Sequence, residues 1–93
     1  MIPIIITLPS TTDEIGPRRP GAIYQTADGR FEVLALVTSP RDATALLRRS
    51  ARWAVIVRDT SCPNGQPFAV GTAWVASDVL IREGKPVAFV PAA

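Results

Sequence analysis

Gly21-Ala22-Ile23-Tyr24-Gln25-Thr26-Ala27-Asp28-Gly29-Arg30-Phe31-Glu32-Val33-Leu34-Ala35-Leu36-Val37 is the stretch that decides the fold. Asp-Gly between two runs rich in β-branched and aromatic residues is the strongest local signal for a hairpin, because glycine supplies the positive φ of a type I′ turn. A two-residue Asp28-Gly29 loop pairs Gln25 with Glu32 and Ile23 with Leu34. Ala22, Tyr24 and Thr26 then share a face with Ala35, Val33 and Phe31. The other face is polar near the tip and apolar at the base, where Ile23, Leu34 and Leu36 lie. A hairpin wet at its tip and covered on both faces at its base belongs in a rolled sheet.

Working outward, Ser39-Pro40-Arg41-Asp42 reads as a helix start, with Ser39 as N-cap and Pro40 at the first helical position. Ala43, Leu46, Leu47 and Ser50 then form one narrow stripe, which predicts a helix over about 40–51 lying on the sheet. Trp53-Ala54-Val55-Ile56-Val57 is a continuous apolar run, the pattern of a strand buried on both faces. Pro63-Asn64-Gly65 has turn chemistry. Residues 68–77 read as a strand bent or closely approached at Gly71. A tight turn at Ser77-Asp78 precedes the strand Val79–Arg82, and Glu83-Gly84-Lys85 is expected to turn the chain into a last strand over 87–90. At the other end, residues 2–8 read as a strand with Pro3 near its start, and residues 9–20, with three prolines, as a surface loop.

Composition narrows the function classes. The 93 residues make one domain, 47% hydrophobic and 19% charged, and a chain of this length buries roughly two-thirds of its unfolded surface. The apolar fraction is high for so small a chain, so either the barrel is unusually well filled or some apolar surface is covered by a partner chain. No histidine is present, which removes Ser-His-Asp and Cys-His nucleophile activation and histidine-ligated metal. One cysteine, Cys62, cannot form an internal disulfide, which points to a reducing, cytoplasmic compartment. The apolar start lacks a basic segment and a cleavage site and falls short of the ~20 residues of a membrane span. No signal peptide or membrane segment is therefore expected, and no spacing calls for a cofactor or a metal.

Gly71-Thr72-Ala73-Trp74-Val75-Ala76-Ser77-Asp78-Val79 resembles the closing segment of an SH3-like barrel: glycine, aromatic strand, small-residue turn, apolar strand. The resemblance covers roughly residues 20–82 and concerns architecture. It implies an α+β, mainly β fold: a partly open antiparallel barrel of five or six strands, with one helix inserted after the 21–37 hairpin. Two activities of such barrels do not carry over. The Ala-Leu-Tyr-Asp-Tyr-like motif and paired tryptophans of peptide-binding SH3 domains are absent. The Val-Gln-Ile-Tyr stretch of type II dihydrofolate reductases is replaced here by Thr72-Ala73-Trp74-Val75. The chain also resembles small uncharacterised proteins of bacterial mobile elements and gene cassettes.

Three function classes compete. A non-catalytic binding or oligomerising module, forming a homodimer or small homo-oligomer or binding another protein, would use Ile4, Ile5, Ile6 and Trp74 as interface. A nucleic-acid binder would use Arg18, Arg19, Arg41, Arg48, Arg49 and Arg52 as an anion-contacting patch; nine of the ten basic residues are arginine, but the net charge is only +2. An enzyme would draw on Asp59, Asp78, Glu83, Tyr24 and Lys85, which form no spaced constellation. The first class accounts for most of these features.

Overall fold

The computed structural model describes residues 11–85. The interface expected at Ile4, Ile5 and Ile6, and the strands expected over 2–8 and 87–90, lie outside these residues. Helix α1 (Thr11–Ile15) leads into a hairpin of β1 (Ile23–Thr26) and β2 (Gly29–Val37). Helix α2 (Pro40–Leu47), then β3 (Ala54–Asp59), β4 (Phe68–Val70) and β5 (Val79–Arg82) follow. The strands form one five-stranded antiparallel sheet in the order β4-β3-β2-β1-β5, which is not closed by hydrogen bonds between β4 and β5. Among the described residues the fold is mainly β, with two short helices.

The hairpin forms, but its turn sits one residue earlier than Asp28-Gly29. Gln25 pairs with Arg30, and Thr26 pairs with Gly29. The turn residues are Ala27 and Asp28, held by the Asp28 N–H donating to Thr26 Oγ1 at 3.0 Å. Neither has positive φ, so the turn is not type I′; Gly29, at φ 143°, opens β2 instead. The changed pairing moves each partner by two positions, and two is the side-chain period of a strand, so Tyr24 and Phe31 still share a face.

A second departure does alter the faces. Register shifts between Val33 and Ala35 where β2 pairs with β3, so Leu34 is an extra residue in a β-bulge. Beyond it the alternation inverts. Ala35 turns outward and is exposed, while Leu36 packs on the core opposite Val55. The bulge lets one long strand serve the core at both ends, with Val33 opposite Val57 and Leu36 opposite Val55. Val33, Val55 and Val57 are fully buried and form the centre of the core with Ala22, Tyr24 and Trp53.

The chain before the hairpin is not all loop: Thr11–Ile15 is a short helix. Asp13 and Glu14 sit in its first turn, where the helix dipole favours carboxylates, and Gly16 at φ 63° ends it. Those signals are present in Thr12-Asp13-Glu14-Ile15-Gly16-Pro17, but five residues are too few to show a periodicity. Helix α2 starts as expected, with Ser39 Oγ accepting the Asp42 N–H at 3.5 Å, yet it spans two turns rather than three. The side chain of Thr44 bonds both the carbonyl and the N–H of Ala51, at 3.1 and 3.2 Å, and so folds the following segment back. Consequently Ala43 is buried and Leu47 half-buried, while Leu46 and Ser50 face solvent.

Likewise β4 stops at Val70, because the Gly71 carbonyl accepts from Arg49 at 3.1 Å and a Cβ there would run into Arg49 and Leu47. At the far end, residues 83–85 do not reverse the chain. The Lys85 N–H donates to the Pro20 carbonyl at 2.9 Å, carrying the β5 direction on beside the segment that precedes β1.

Arg48 closes α2 in the left-handed conformation, φ 56° and ψ 33°, its N–H donating to the Thr44 carbonyl at 2.9 Å. A non-glycine residue there costs roughly 1–2 kcal/mol, partly offset by the unfolded-state entropy that glycine would add. Arg48→Gly should therefore stabilise the fold by about 0.5–1 kcal/mol, a rise of roughly 2–8 °C in a thermal melt. A lower midpoint would show that Arg48 contributes more than its backbone.

Candidate functional site

Arg18 is the centre of the structure. It is 1% exposed, although sequence placed it in a solvent-facing anion patch with Arg19. Its Nε donates to the Ile15 carbonyl at 2.8 Å, and its Nη2 to the carbonyls of Glu14 and Thr72, both at 2.9 Å. The first two are among the last carbonyls of α1, which have no partner within the helix and attract a cation. The guanidinium carbon also lies 5.6, 5.3 and 5.9 Å from the ring centres of Tyr24, Trp53 and Trp74. No carboxylate pairs with Arg18 among the described residues; the ring faces and the carbonyl dipoles take that place. Each desolvated cation–ring contact contributes on the order of 1–2 kcal/mol.

Glu14 fixes both tryptophans around this cation. Its Oε2 accepts the indole N–H of Trp53 at 2.5 Å, and its backbone carbonyl accepts the Trp74 N–H at 2.7 Å. Its Oε1 holds Arg52 at 2.9 Å. Gly16 completes the fit, because a Cβ there would lie 2.6 Å from Trp74 Cγ. Trp74 is thus half-buried and packed on Tyr24, with ring centres 5.8 Å apart, and much of its surface is committed to the protein itself.

Of the remaining arginines, Arg49 and Arg52 line one cavity and Arg19 lines another. Arg52 is paired with Glu14, Arg49 donates to the Ser50 and Gly71 carbonyls, and Arg19 donates to the carbonyls of Gly16 and Arg18. Arg41 and Arg48 are exposed at opposite ends of α2. A cavity of about 400 Å³ lies beside Glu14, Arg49, Arg52 and Trp53; there Glu14 holds Arg52 and the Trp53 indole, and Arg49 holds backbone carbonyls.

A second concave region is richer in rings. Between the hairpin tip, β4 and the turn Val75–Asp78, the unclosed sheet leaves a mouth of about 450 Å³. Its wall carries a row of rings, Phe68, Phe31 and Tyr24, with successive centres 5.9 and 5.8 Å apart, and Trp74 packs on Tyr24 behind it at 5.8 Å. Phe68 and Val75 remain 43% and 51% exposed at its rim. Asp28, Thr26, Thr72, Ser77 and Asp78 supply polar groups, and Arg18 closes the floor. The region is concave and of mixed lining, with rings to pack against a ligand and polar groups to orient it, as a binding site requires.

Of the residues considered for catalysis, Tyr24 and Asp78 meet in this mouth, while Asp59 ends β3 and Glu83 and Lys85 lie beyond β5. Burial raises the pKa of the Tyr24 hydroxyl above its ordinary 10.0, against the opposing effect of Arg18, so it stays protonated and is a poor base. Asp78 Oδ2 accepts the Val75 N–H at 3.0 Å, which closes the turn before β5. Asp59 is held below the usual carboxylate range by the Ser61 hydroxyl and N–H, at 2.6 and 2.9 Å, so it is a poor proton donor. No group of three metal-ligating side chains occurs among the described residues, and none of their helices is long and apolar enough to cross a membrane.

Comparison with family models, curated proteins and solved structures finds no match. Sequence reasoning missed the role of Arg18 because nothing local marks an arginine as buried. The distant signal is the pair of tryptophans together with Tyr24, which supply more ring surface than so small a core needs.

Two outcomes follow from this geometry. Arg18→Lys keeps the charge but cannot fork to three carbonyls, so it should destabilise the protein by about 2–4 kcal/mol in urea titrations followed by tryptophan fluorescence. An unchanged midpoint would show the fork to be dispensable. For Tyr24 the folded state holds the proton more tightly than the unfolded chain. Its contribution is complete below pH 10 and lost as pH rises through 10 and beyond. Urea midpoints from about pH 9 to 11.5 should fall more steeply for the wild type than for Tyr24→Phe; parallel curves would contradict this.

Proposed function

We propose that the protein is a non-catalytic binding module that takes a segment of a partner protein into the mouth between the hairpin tip, β4 and the 75–78 turn. The observation that carries this is the row of rings ending at exposed Phe68, set in a concave site with polar groups at its rim. Exposed aromatic residues in a pre-formed cleft are the usual anchors of protein recognition. The strand order supports an SH3-like, partly open barrel, because the last strand returns to pair with the first after a tight turn, the Asp78 N–H donating to the Val75 carbonyl at 3.0 Å. The exposed free thiol of Cys62 suits a reducing, cytoplasmic setting. A nucleic-acid role has less support, since Arg18 is buried and Arg49 and Arg52 are engaged within the protein.

Photo-crosslinking tests the proposal. A benzophenone side chain placed at Phe68 or Val75 in the native host should give a discrete crosslinked product that the same group at Arg41 does not give. Identical products from all three positions would overturn the assignment of the mouth. A product consisting only of a second copy of this chain would replace the foreign partner with a homo-oligomer.

A further inference from the structure

We infer that the mouth selects a segment carrying a lysine or arginine next to an apolar side chain, with Asp28 and Asp78 as the residues that set the preference; this rests on the binding role proposed above. The protein as a whole carries a net charge of +2, yet the charges the mouth presents outward are two carboxylates. Neither is in an ion pair among the described residues. Asp28 is exposed at the hairpin tip, its own N–H tied to Thr26. Asp78 uses Oδ2 on the Val75 N–H, and no protein donor reaches its Oδ1 among the described residues.

Arg18, the cation that lines the mouth among the described residues, lies beneath its floor and offers a ligand little to bind. Its Nε and Nη2 donate to the Ile15, Glu14 and Thr72 carbonyls, it is 1% exposed, and three rings surround it. An acidic segment would meet both carboxylates without gaining the fork of Arg18. A long cationic side chain is matched throughout. Its aliphatic stem lies against Phe68 and Val75, and its charged head reaches the carboxylates at the rim. The buried charge of Arg18 also keeps the incoming cation at that rim rather than on the floor.

An array of random hexapeptides probed with the full chain should be enriched in Lys or Arg beside an apolar residue. In solution, the best such hexapeptide should bind about five-fold more tightly than its congener with glutamine in place of the cation, with the ratio shrinking toward one as salt is raised. In Asp28→Asn and Asp78→Asn together the ratio should fall to about one, while the glutamine congener binds as it does to wild type. Asparagine keeps an acceptor for the Val75 N–H, and Asp28→Asn alone removes no hydrogen bond, so it should lower the ratio with an unchanged unfolding midpoint. Equal affinity for both hexapeptides, or an array enriched in acidic residues, would overturn the preference and leave the mouth as a binding site. An array with no bound hexapeptide would overturn both.

Discussion

A guanidinium taken out of water needs every donor answered and its charge balanced, and the rest of this structure is arranged around meeting that need for Arg18. Water is replaced by three carbonyl oxygens and three ring faces rather than by a carboxylate. The carbonyls come from the end of α1 and from Thr72, far along the chain, so one side chain joins the segment before the hairpin to the segment after β4. Breaking this node would leave unsatisfied carbonyls as well as a lost contact, which is why removing one partner from a buried polar group costs more than the bond contributes.

Glu14 extends the node outward. By holding the indole of Trp53 through its side chain and the backbone of Trp74 through its carbonyl, it sets the rings that flank the cation. Those rings continue through Tyr24 and Phe31 to the exposed edge of Phe68. Interior stability and the proposed binding surface are therefore one connected row of aromatic side chains. The floor of the mouth is rigid because it is also the core. That rigidity lowers the ordering cost a partner would otherwise meet on binding.

How much of this was legible in the sequence depended on whether the controlling contact was local. The hairpin, the Ser39 cap and the apolar β3 all follow from neighbours a few residues apart, and each is present; the close approach at Gly71 was marked by the glycine itself, though Arg49 and Leu47 make it from far along the chain. The turn was misplaced by one residue because Asp-Gly is a statistical preference, whereas the Thr26 hydroxyl actually holds the Asp28 N–H. The bulge at Leu34 escaped notice because strict alternation along 29–37 reads equally well without it; only the pairing with β3 reveals it. The truncation of α2 depends on Thr44 reaching Ala51, which no helical stripe announces.

The candidate site was the least legible part. Its rings are scattered from Tyr24 to Trp74, and Arg18 reads as one more loop arginine until the sheet curls around it. This arginine is an interior cation under aromatic rings, and NMR of its side chain tests that most directly. The Arg18 Nε–H should resonate well away from the random-coil position, shifted by ring currents, and exchange with water far more slowly than the Nε–H groups of Arg41 or Arg48. A random-coil shift with exchange as fast as theirs would place Arg18 in solvent and contradict the account.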